Sequence, residues 1–146
     1  MLSFNRKISF SGAYCLHDSR VSDSENRRIF GDDYGRQLAG SFEIEMQFVR
    51  EAQPQVDSLT GMIVDLSEVD SWCSELINAI TARPLHLIVA PNPAYLEEIA
   101  RFASRLLIEK MAHHSSALKL RLHRLRIGMQ GGPKSAVLRH GVTLTI

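Results

Sequence analysis

Residues 4–16 alternate between two faces, with Phe4, Arg6, Ile8, Phe10, Gly12 and Tyr14 on one of them, which predicts a strand. Residues 17–38 are polar and without a period, holding Asp18, Asp23, Glu25, Arg27, Arg28, Asp32 and Asp33, and are expected to form a long structureless stretch of the kind that is functional or mobile. Alternation resumes over 39–51. Phe42, Ile44, Met46 and Phe48 share one face, and Glu43, Glu45 and Gln47 the other. Pro54 and Asp57-Ser58 break this strand, and Met62-Ile63-Val64 form a short apolar segment.

From Asp65 the period changes. Asp65 and Glu68 make a capping-box pattern, and Val69, Trp72, Cys73, Leu76 and Ile80 follow at helical spacing, predicting a helix over 66–82 that Pro84 ends. Asn92 suits an N-cap and Pro93 a first helical position. Leu96, Ile99, Ala103, Leu106 and Leu107 then carry a second helix to about His113. Leu118, Leu120 and Leu122 alternate with Lys119, Arg121 and His123 in a third strand. Gly131-Gly132-Pro133 turns the chain, and Leu138, Val142, Leu144 and Ile146 mark a fourth strand. The order ββααββ predicts an α+β domain, an antiparallel sheet with both helices on one face.

Composition narrows the function classes. The chain has 146 residues, enough for one domain spanning 1–146. A net charge of +1 gives no argument for a nucleic acid or an anionic membrane as partner. No apolar run reaches the roughly 20 residues that span a bilayer. Residues Met1–Lys7 lead into a strand pattern and not into an apolar signal segment. Cys15 and Cys73 form no metal or redox motif and are expected to be core thiols of a cytoplasmic protein.

Three stretches carry a family resemblance. Ile8-Ser9-Phe10-Ser11-Gly12-Ala13, Ser22-Asp23-Ser24-Glu25-Asn26 with Ile29-Phe30-Gly31, and Thr60-Gly61-Met62-Ile63-Val64-Asp65-Leu66 occur in that order. In these motifs the chain resembles the 6-pyruvoyl-tetrahydropterin synthase and 6-carboxy-tetrahydropterin synthase family. The resemblance implies the T-fold, a four-stranded antiparallel sheet with two helices on one face. It also implies a homo-oligomer, a trimer or hexamer, with active sites between subunits.

The family's site residues do not carry over. Its first zinc histidine corresponds to Tyr14, and the other two to Leu38 and Gly40. A zinc site needs three or four N, S or O donors, so no metal or other cofactor is expected. The catalytic cysteine falls at or near Asp33. Of the catalytic Asp-His pair, His86 takes the Asp place and Leu87 the His place; a one-residue shift would give His86 the histidine role. The glutamate that anchors the pterin becomes Arg124, and a ligand-binding Ser-Thr-Glu segment becomes Asn92-Pro93-Ala94.

The candidates are therefore Tyr14, Asp33 and His86 for proton transfer, and Arg124 and His17 for ligand binding. Tyr14 is either an acid in the former metal pocket or a core tyrosine. His86 is either a general base or a surface loop residue. Asp33 is either a proton carrier or a solvated acid. Arg124 shares the alternation of Leu118, Leu120 and Leu122, which puts it on their face. There it either holds an acidic ligand or pairs with an acid such as Asp33. His17 lies near the former metal site but lacks companions, as do His113, His114 and His140. Two functions follow from these residues. One is a repurposed, metal-independent enzyme (a lyase, isomerase or cyclase, and not an active tetrahydropterin synthase) acting on a small carbonyl- or carboxylate-bearing intermediate. The other is a non-catalytic small-molecule binder or structural oligomer.

Overall fold

The computed structural model describes residues 2–50, 66–114, 120–130 and 142–146. The Thr60-Gly61-Met62 segment, Asp65 of the predicted capping box, Leu118, the Gly131-Gly132-Pro133 turn, Leu138 and His140 lie outside the described residues.

Two 14-residue strands, β1 (Leu2–Cys15) and β2 (Gln37–Arg50), pair antiparallel along their whole length. Their inward residues form the first layer of the core. Phe4 stacks on its cross-strand partner Phe48, and Phe10 on Phe42, each at 5.1 Å between ring centroids. β3 (Leu120–Gln130) pairs with the other side of β2, and the short β4 (Val142–Thr145) with β3, giving the antiparallel order β1-β2-β3-β4.

The helices cover one face. α2 (Leu66–Thr81) lies over β1, and α4 (Leu96–His114) over β3 and β4, and the two touch each other. The helical stripe read from the sequence is the buried stripe: Val69, Trp72, Cys73, Leu76 and Ile80 all point inward. Full burial of a large apolar side chain contributes about 1.5–3 kcal/mol, so Trp72, Phe42, Phe48 and Leu76 dominate this core. Arg6, on the inward face of β1, is paired with Asp70 of α2 instead of entering the core. No helix among the described residues is long and apolar enough to cross a membrane.

Four expectations need correction. The polar 17–38 segment is not structureless: it contains α1 (Asp23–Phe30) and a 3-10 turn at Gly31–Asp33, and β2 already begins at Gln37. Ser22 caps α1 by accepting the Glu25 N–H at 3.3 Å, and Gly31, at φ 61, ends it in a conformation that costs a glycine little. α4 begins at Leu96 and not at Pro93: the Tyr95 N–H turns back to the Pro93 carbonyl at 2.8 Å ahead of the helix, and Asn92 donates its side-chain amide to Glu98 at 3.0 Å. His86 sits on a single helical turn, α3 (Leu85–Ile88), and not in a loop.

Arg124, fourth, lies on the other face of the sheet from the one expected. The β2–β3 register shifts between Gln47 and Phe48: Phe48 faces Leu122, while Gln47 faces Arg124. His123 is the extra residue of a β-bulge, and past it the inward positions become Leu125 and Ile127, both fully buried. Arg124 therefore leaves the face of Leu120 and Leu122 and is exposed on the open side of the sheet.

Candidate functional site

The end of β1 gathers most of the predicted residues. Leu16 bridges to Tyr34, and the Gly35 N–H donates to the Leu16 carbonyl at 3.3 Å, so the 3-10 turn carrying Asp33 is tied beside Tyr14. From the other side α3 packs on β1. The Cys15 N–H donates to His86 Nδ1 at 3.1 Å. A nitrogen that accepts carries no proton, so the neutral ring holds its proton on Nε2. Leu85, beside it, is buried against Gly12, where a Cβ would stand 3.1 Å from Leu85 Cδ1.

Tyr14 is 1% exposed, and its hydroxyl donates to Met129 Sδ at 3.8 Å. Burial, with the Asp33 carboxylate as the lesser cause, pushes its phenol above the ordinary tyrosine pKa. Such a phenol remains protonated and does not serve as a base. The two residues that the resemblance aligns with zinc histidines on β2 lie beside it. Leu38 is the cross-strand partner of Tyr14, and at Gly40 a Cβ would stand 2.8 Å from Met129 Sδ. The thioether of Met129 thus occupies the room that a side chain at residue 40 would need. A tyrosine hydroxyl, a leucine, a glycine and a thioether are not a zinc ligand set. Among the described residues no three His, Cys, Asp or Glu are grouped to hold a metal. Zinc does not fit here.

His17 is exposed and stacks on Tyr34 at 5.8 Å, with the Arg27 guanidinium 5.7 Å from the same ring. The Tyr34 hydroxyl donates to Asp23 at 2.7 Å. Next to His17, Asp18 is held at a pKa of about 2, chiefly by the Arg20 side-chain hydrogen bonds. The folded pKa lies below the ordinary 3.8, so this contribution to stability is present above 3.8 and is lost as the pH falls toward 2.

The structure thus brings Tyr14, Asp33, His17 and His86 to one end of the sheet. Arg124 is elsewhere. It sits opposite Gln47, which lies next to Asn5 of β1, nine residues before Tyr14. At about 3.3 Å per residue that is roughly 30 Å along the strand. Asn26 was missed as a positioning residue. It is fully buried, and its amide accepts the Asp18 N–H at 2.7 Å and donates to the carbonyls of Asp18, Val21 and Ser22. A signal for its helix was present, since Ser22 with Glu25 three residues on is a capping-box pattern, of which the structure shows the Ser22 half. Met129 and Arg126 were also missed, and neither carries a local sequence signal.

The four-stranded sheet with its helices on one face is the T-fold. No family model matches the chain. The chain is 29% identical over 75 residues to the 6-pyruvoyl tetrahydrobiopterin synthase of Poecilia reticulata, covering 49% of this chain and 47% of that protein. The match thus spans about half the length of the curated relative. The structure of Caenorhabditis elegans 6-pyruvoyl tetrahydropterin synthase superposes with a TM-score of 0.74 at 22% identity, covering 99% of this chain and 94% of that one. Sequence and fold both point to 6-pyruvoyl tetrahydropterin synthase as the kind of protein this chain resembles.

Proposed function

We propose that the protein is a metal-independent T-fold enzyme that moves protons on a small carbonyl- or carboxylate-bearing compound at the end of β1, as a lyase, isomerase or cyclase does. The supporting observation is the His86 ring, held by the Cys15 N–H so that Nε2–H is the remaining donor. In this reading Nε2–H polarises the substrate carbonyl, and the Asp33 carboxylate takes the proton from the adjacent carbon. Tyr14 and Met129 form the wall and stay unchanged. Each proton-transfer group contributes about 10²–10⁴-fold.

A test independent of the true substrate is deuterium exchange from D2O into carbon positions next to the carbonyl of small keto acids, followed by NMR. The wild type is expected to exchange at least one such acid. His86→Gln and Asp33→Asn are expected to slow that exchange by about a hundredfold. Exchange at the buffer rate across the panel would leave the second reading, a non-catalytic binder or structural oligomer. That reading is favoured by the Tyr14 hydroxyl, which is buried and already engaged.

The same proposal includes a homotrimer or homohexamer. β1 is a 14-residue strand at one edge of the sheet, and such edges invite pairing with another copy. Light scattering at micromolar concentration should return three or six chains; a monomer would refute this part.

A further inference from the structure

We infer that Arg124 and Arg126 form a binding site for the oxyanion group, carboxylate or phosphate, of a small molecule on the open face of the sheet. The site begins with the bulge at His123. In an unbroken ladder of the same sequence, residues 124 and 126 would continue the inward series of Leu120 and Leu122. Because the bulge takes up His123, Leu125 and Ile127 turn inward and both arginines turn out.

The arginines are two positions apart on β3, so both guanidiniums rise from the same face, with Cα atoms roughly 7 Å apart. They line a cleft of about 430 Å³ with Asn5, Glu45, Gln47 and Thr143. The neighbours follow from the register: Gln47 lies across from Arg124, and Glu45 and Thr143 across from Arg126 on either side. The side-chain amides of Asn5 and Gln47 and the hydroxyl of Thr143 add neutral donors around the two cations. Among the described residues neither arginine takes part in an ion pair. By contrast Lys7, on the same face, is tied to Glu43 at 3.1 Å. One carboxylate against two guanidiniums leaves the cleft net positive. Glu45, facing Arg126, directs the anion toward Arg124.

The fork of a guanidinium matches two oxygens of one carboxylate or phosphate, which a single ammonium does not. A second guanidinium one pleat away suits a doubly charged ligand. This site lies far from the β1 end and stands or falls apart from the proton-transfer reading.

The test is calorimetric titration of the full chain at low ionic strength, with inorganic phosphate and malonate as probes. At least one probe is expected to bind with a millimolar or tighter Kd. Binding of phosphate alone assigns the phosphate source, and binding of malonate alone the carboxylate source. Arg124→Gln and Arg126→Gln should each weaken binding about tenfold, and the double variant should show none. Arg124→Lys should recover only part of the loss. Glu45→Gln should tighten binding by removing the opposing charge, and Lys7→Gln should change it less than about twofold. Both arginines are exposed, so the variants should melt with the wild type. Absence of binding of both probes to the wild type would overturn the site. So would a double variant that keeps its affinity, or an Arg124→Gln variant that binds normally but melts early or changes oligomeric mass.

Discussion

Asn26→Ala is expected to lower the thermal midpoint by on the order of 10 °C, corresponding to about 3 kcal/mol. The side chain has no solvent exposure and makes four hydrogen bonds to the backbone of residues 18–22. Alanine removes the partner of the buried Asp18 N–H and leaves the Asp18 carbonyl with only the long bond from the Val21 N–H at 3.4 Å, and water cannot readily replace an amide inside this turn. Each buried group left unsatisfied costs about 1–3 kcal/mol. The loss should be local first. Hydrogen exchange should quicken through residues 18–36 before it does so in α2, because Asn26 joins the turn after β1 to the helix that leads to Asp33. Ser24→Ala, on the exposed side of the same helix, is the control and should stay within about 0.5 kcal/mol. An Asn26→Ala variant with wild-type melting and exchange would show that the hydrogen bonds are made equally well by solvent.

Leu85→Ala is expected to cost about 2–5 kcal/mol and to release His86. Leu85 is 1% exposed and fills the space over Gly12, and it is the buried residue of the single turn that carries the histidine. A helix of four residues has too few internal hydrogen bonds to persist without such an anchor. Nitrogen NMR of the imidazole provides the specific readout. In the wild type Nδ1 should report an accepted hydrogen bond and Nε2 a fixed proton; in Leu85→Ala the two tautomers should mix. Leu87→Ala, at a position 51% exposed, should leave both stability and tautomer alone. If the tautomer persists in Leu85→Ala, the Cys15–His86 contact is held by something other than this packing.

The strands and long helices were legible because their apolar periods are long and unbroken. Phe42, Ile44, Met46 and Phe48 alternate without a fault, and the stripe from Val69 to Ile80 keeps helical spacing. α1 was not legible from periodicity, since its two buried residues are Phe30 and a polar one, Asn26. Only Ile29 and Phe30 of its eight residues are apolar, too few to draw a stripe. The start of α4 was misplaced because Asn92 and Pro93 have the composition of a helix start, while the backbone makes a turn from Pro93 to Tyr95 before the helix begins. At the candidate site, the neighbourhood of Tyr14, Asp33 and His86 was legible only through the family resemblance, because three separate segments meet there. The Tyr14–Met129 contact, 115 positions apart in the chain, has no local signature at all. Arg124 was placed on the wrong face because a bulge adds a residue without adding any distinctive residue type.

The same bulge bears on how such a chain can change by descent. Deleting His123 would restore strict alternation and leave Leu120, Leu122, Leu125 and Ile127 all facing inward, so the loss of one codon is compatible with the core. Sliding the bulge two residues toward the C-terminus is not. That step would set Arg124 opposite Met46 on the inward face, burying a guanidinium with no partner and pushing Leu125 out of the ladder, at a cost of several kcal/mol. The extra residue is therefore free to be lost, or to fall at 123 or 124, but not to wander further. Insertions and deletions along β3 should be tolerated at these two positions and selected against at the core positions on either side.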